Sequence, residues 1–225
     1  MKESGNGPPD RRRLLSLRTA RMEAFSDGIF AIASTLLVLD LAVPPTTSDV
    51  AQKLRQQWPM YLAYLVSFLS IGQAWLNHSV ITDYLDRADS ILLRLNLVLL
   101  FFVSLLPFPT HMVAEYLSSN NDERIAVTVY GLNLLAISAF TSVLWHYALA
   151  ENLVRQGDRE GDVRALTSKL DPSLASQAVA LGLGLLRPNA AVVLYLAIAL
   201  FVIIPFRTVA RRIRYRRQRD RTGPD

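Results

Sequence analysis

Cysteine is absent from the 225 residues. That excludes disulfides and any thiolate metal site, and it leaves no thiol redox chemistry to read. Histidine is scarce. His78, His111 and His146 are too scattered for a recognisable metal-ligand spacing. Enzyme signatures are missing too. There is no His-Glu-x-x-His, no Gly-x-Ser-x-Gly, no P-loop and no pair of catalytic carboxylates on one face. The chain therefore reads as a non-enzyme with no nucleotide or organic cofactor. A cleavable signal peptide is not expected, because the first apolar run comes late and no small-residue cleavage site follows it.

The most informative absence is local. Trp58 to Val80 contains no Asp, Glu, Lys or Arg, and neither do Leu95 to Ala114, Ile125 to Ala150 or Asn189 to Phe206. Hydrophobic residues make up 51% of the chain, and they are gathered into these blocks. Apolar runs of about 18 residues or more match the thickness of a bilayer core. Backbone amides find no water there, so each run is expected to be a helix. Two candidates are weaker: Ala24 to Val43 has spanning length but carries Asp27 and Asp40, and Ser173 to Leu186 has only 14 residues, rich in Ala and Gly. Cationic side chains arbitrate. With both termini in the cytoplasm and six spans, 20 of the 24 Lys and Arg residues fall inside, leaving Lys53, Arg55, Arg124 and Arg187 outside. The positive-inside rule favours that arrangement. The expected fold is an all-α polytopic membrane protein with six transmembrane helices and cytoplasmic N- and C-termini.

The expected organisation is a cytoplasmic N-terminal arm over 1–20, partly disordered, a membrane domain over 21–210 and a basic cytoplasmic tail over 211–225. The net charge of +5 raises nucleic acid as a partner, but seven arginines between Arg211 and Arg221 directly follow an apolar run. Contact with anionic lipid headgroups is the expected role, and no nucleic-acid partner is. Pro44 and Pro45 end the first span, Pro107 and Pro109 kink the third, and Glu151 to Lys169 reads as a charged loop.

Chemistry concentrates on the first span. Helical residues advance by about 100°, so with Ile32 at zero, Leu36 lies about 40° to one side. Leu39 lies about 20° and Thr35 about 60° to the other, with Asp40 about 80° off at the outer end. Asp27 and Ser34 point elsewhere, about 140° and 160° away. Two readings fit this stripe. It faces lipid or a bundle core, as most aliphatics in membrane helices do. Alternatively, several copies surround an axis, and the rings form a dry constriction that gates by expelling water. Asp40 would then concentrate cations at the outer mouth. Periodicity does not separate the two.

At the inner end, Ser26 and Asp27 share a membrane depth with Arg21, Asn77, His78 and Asn96. They form a buried polar knot joining three helices, or else Asp27 is a helix-start carboxylate in contact with water and His78 is interfacial. A rival function is a secondary transporter or proton pathway, in which Asp27, His78 and His111 relay protons. Such proteins often contain paired repeats, and none is evident here.

An arginine, three residues and then Phe-Ser-Asp stand at the head of span one, as Arg21, Phe25, Ser26 and Asp27. With Gly28 to Leu39 and Val103 to Thr110, this resembles the prokaryotic branch of the transmembrane protein 175 family of potassium channels. The resemblance runs from Arg21 to about Tyr116 and continues through the last three spans by layout. It implies a potassium-permeable cation channel in a prokaryotic cell membrane, a homotetramer of single six-span repeats with helix one lining a central pore. It implies that Ile32, Leu36 and Leu39 line and gate that pore, with Thr35 a hydroxyl layer for selectivity. The Phe-Ser-Asp cluster would be structural, within a network of Arg21, Phe25, Ser26, Asp27, Asn77, His78 and Asn96. No Thr-Val-Gly-Tyr-Gly filter is present, so any preference for potassium must arise along helix one. No metal is expected beyond potassium in transit.

Overall fold

A computed structural model describes residues 11–41, 50–117, 122–155 and 160–203 of the chain, without the side chains of 11–18, 40, 50, 53, 160–162, 169, 171 and 201–203. The elements are helices α1 (Arg11–Leu36), α2 (Val50–Gln56), α3 (Trp58–Tyr84), α4 (Ser90–Leu105), α5 (Pro107–Tyr116), α6 (Glu123–Ala150), α7 (Glu160–Leu186) and α8 (Pro188–Ile203), with a 3-10 turn, Leu37–Asp40, extending α1. The described residues contain no strand, and one isolated bridge joins Leu85 to Val154. The protein is all-α.

Among the described residues, four stretches are long and apolar enough to cross a membrane: Thr19–Leu39, Trp58–Tyr84, Ser90–Tyr116 and Glu123–Ala150. Three of them contain the charge-free runs that begin at Trp58, Leu95 and Ile125, as length and desolvation of the backbone require; Thr19–Leu39 answers to the weaker candidate that carries Asp27, and the run from Asn189 begins in the shorter apolar helix Pro188–Leu200. The third is divided into α4 and α5 at Leu106, where Pro107 and Pro109 cannot donate backbone hydrogen bonds. The expected loop from Glu151 to Lys169 is shorter than the sequence suggested. Helix α7 begins at Glu160 and runs for 27 residues through Pro172. Its charged first turns are helical all the same, and they extend the short apolar segment toward the N-terminus of the helix. The arm over 1–10, and the tail over 211–225, lie outside the described residues.

Helix α1 packs on α3 and α4, and α6 packs on α4, α5 and α7, with α8 closing the bundle against α3 and α7. Close approach of α8 to α6 depends on Gly131, where an added Cβ would collide with the Tyr195 hydroxyl. At one end of the bundle, a clasp joins the connection between α3 and α4 to the connection between α6 and α7. Asp86 N donates to Leu153 O (2.9 Å) and Arg155 N to Tyr84 O (2.9 Å). Asp89 caps α4 by accepting from Leu92 N at 2.7 Å, and its other oxygen accepts from the Tyr147 hydroxyl at 2.6 Å.

Candidate functional site

Helix α1 is divided lengthwise. Met22, Ser26, Phe30, Ala33 and Leu37 are buried against α3 and α4. Ile32, Leu36 and Leu39 are 56%, 41% and 74% exposed, and Phe25 and Val38 are exposed beside them. The aliphatic stripe is therefore largely uncovered by the described residues of its own chain. Thr35 stands on the same exposed side, and its hydroxyl donates to the Ile32 carbonyl at 2.9 Å. With its proton committed to the helix backbone, the Thr35 oxygen keeps its lone pairs free to accept. The backbone at Asp40 closes the 3-10 turn, while its side chain is outside the described set.

The buried side is held by polar contacts. Ser26 Oγ donates to the Met22 carbonyl (2.8 Å), and Asn96 Nδ2 on α4 donates to Ser26 Oγ (3.0 Å). Asn96 Oδ1 lies 2.8 Å from His78 Nε2 on α3. The Asn96 amide nitrogen already faces Ser26, so its oxygen is the acceptor and His78 carries its proton on Nε2. Phe30 lies against the imidazole, with ring centroids 5.5 Å apart. Three helices are thus joined at one depth through a serine, an asparagine and a histidine, all buried.

Asp27 is not in that chain of bonds. It projects from the other side of α1 and accepts from Trp75 Nε1 at 2.8 Å. It borders an open groove between α1 and α3, with Phe30, Ser34, Phe68 and Gly72. Phe25 and Arg21 are exposed, and Asn77 lines a separate cavity farther along α3. Trp75 carried no signal in the sequence, because an indole within an apolar run reads as one more hydrophobic residue. The exposed side chains of His111 and Glu115, both on α5, pair at 3.6 Å. Asp27, His78 and His111 thus make different contacts, with Trp75, Asn96 and Glu115 respectively. The described residues include no group of three or more His, Cys, Asp or Glu able to hold a metal ion.

A sequence model of the family described as the endosomal/lysosomal potassium channel TMEM175 matches residues 21–107. A potassium channel of Streptomyces collinus is 46% identical over 131 residues, which is 57% of this chain and 64% of that protein, just under two thirds of its length. A potassium channel of Chamaesiphon minutus is 42% identical over 170 residues, covering 72% of this chain and 83% of the relative. A crystal structure of a lysosomal potassium-selective channel TMEM175 homolog from Chamaesiphon minutus superposes with a TM-score of 0.76 at 35% identity, covering 83% of this chain and 97% of that one.

Proposed function

Because the chain belongs to the TMEM175 family, a family of channels and not of enzymes, we propose that it is a potassium-permeable channel whose pore is lined by α1 from four copies of the chain. The observation that carries this reading is the uncovered stripe of Ile32, Leu36 and Leu39 on a helix whose opposite face is fixed by a buried polar chain. A gate needs both halves: side chains left free of their own protomer, and a backbone held in place behind them. Around a four-fold axis the stripe becomes successive aliphatic rings that expel water. Thr35 supplies a layer of four acceptor oxygens between them, and Asp40 concentrates cations at the outer mouth. Potassium in transit is the metal of this reading, and no other cofactor is invoked.

The same proposal places α7 and α8 as the fifth and sixth spans, both termini in the cytoplasm, and the protein in the plasma membrane of a prokaryote. Support comes from the distribution of Lys and Arg and from the prokaryotic relatives. Reconstitution in a planar bilayer with potassium on one side and sodium on the other tests the function. Single-channel steps reversing toward the potassium equilibrium potential are expected. Saturable, proton-driven flux without steps would replace the channel by a transporter.

A further inference from the structure

A second polar site lies away from α1. Between helices α3, α6 and α7 lies a partly open cavity lined by Ser70, Gln73 and Asn77, by Ser138 and Thr141, and by Ser173 and Gln177, among four apolar neighbours. Each helix contributes from its middle: α3 spans Trp58–Tyr84, α6 Glu123–Ala150 and α7 Glu160–Leu186. These positions face one another between the packed helices. Polar groups there must find partners inside the protein.

Most have one. Ser70 Oγ donates to the Val66 carbonyl (2.8 Å), Thr141 Oγ1 to the Ile137 carbonyl (2.8 Å), and Gln73 Nε2 to Ser173 Oγ (3.3 Å). Gln177 does not follow. It lines the cavity, is 5% exposed, and its Oε1 has no partner among the described residues. A buried carbonyl without a donor is costly, and a trapped water is the usual remedy. The cavity leaves about 20 Å³ for the centre of a water molecule, and one water needs roughly 10–15 Å³ by that measure. That excludes an organic solute. No side chain in the lining is ionised, which leaves a bare ion without a counter-charge.

We propose that this cavity is an off-axis hydrated site, built to hold ordered water that donates to Gln177 Oε1 and bonds the surrounding hydroxyls. The inference rests on the membrane placement of the three helices and is independent of whether α1 conducts.

The chain's lack of cysteine makes the test clean. Full-length Ser138→Cys and the dry reference Ala180→Cys, a position fully buried in apolar packing, are reconstituted in liposomes and exposed to aqueous silver ion. Silver is small enough for a water site and reacts with a thiolate, which forms only where water reaches. Free thiol remaining with time is read by mass spectrometry. Modification at Ser138→Cys is expected to be at least about tenfold faster than at Ala180→Cys, and adding Gln177→Leu should bring it down toward the reference. Equal rates at the two positions, or a rate unchanged by Gln177→Leu, would overturn the proposal. Should Ser138→Cys fail to elute like the parent protein, Ser173→Cys on α7 makes the same comparison.

Discussion

On one side of α1, a serine hydroxyl is buried and bonded to an asparagine on the neighbouring helix; on the other, three large aliphatic side chains stand uncovered. In a water-soluble helix the assignment would be reversed. In a bilayer, leaving a leucine uncovered costs nothing, because acyl chains are as apolar as the leucine. Exposure of the stripe therefore costs little whether acyl chains or the same stripe of another copy face it. Burial of polar groups carries the stronger information, since each must be matched inside the protein. The comparison teaches that the anchored face says where α1 is fixed, and that the uncovered face acquires meaning only through what the anchor turns it toward.

The largest expected effect breaks the anchored face. Asn96→Leu leaves His78 Nε2 without its acceptor and removes the donor that Ser26 Oγ accepts from on α4, and should lower stability by about 2 kcal/mol, a typical cost for stranding buried hydrogen-bonding groups. Thermal melting of the purified protein checks this, and an unchanged midpoint would remove the anchor from the account. Next comes the uncovered face. Ile32→Ser, Leu36→Ser and Leu39→Ser should each hydrate the constriction and raise single-channel conductance, by up to about tenfold, or about 1.4 kcal/mol of barrier. Unaltered currents in all three would assign the stripe to lipid. Thr35→Ala should then reduce the potassium-to-sodium permeability ratio by about threefold, read from reversal potentials under opposed gradients; an unchanged ratio would take Thr35 out of selection. The smallest effect belongs to Asp40→Asn. It should lower conductance by less than about twofold in dilute salt and by nothing measurable near 1 M, where the Debye length has shrunk to about 3 Å.

How much of this was written in the sequence follows from what each residue must satisfy. The charge-free runs had to be helices, and α3, α4 with α5, and α6 follow them closely. Ser26, His78 and Asn96 share a depth that counting along the helices supplies, and the structure joins them. Asp27 shares that depth too, yet depth does not fix direction. Its side chain turns to Trp75, whose donor nitrogen is invisible to any hydropathy argument. The start of α7 was hidden for the opposite reason: Arg164 and Lys169 look like loop residues until a helix carries them beyond the apolar segment. Gln73 and Gln177 were passed over because they sit inside apolar stretches. An amide in such a place is itself the signal, since it must meet another polar group at its own level.

The short 3-10 turn at the end of α1 has a geometric result of its own. Three residues complete one revolution there, so positions three apart stand vertically above each other, at a rise of about 2 Å per residue. Leu39 is carried directly over Leu36 where a regular α-helix would offset them. Repeated by symmetry, the two leucines would make a pair of superposed collars about 6 Å apart, a plumb-sided sleeve with room for little more than one layer of solvent between its storeys.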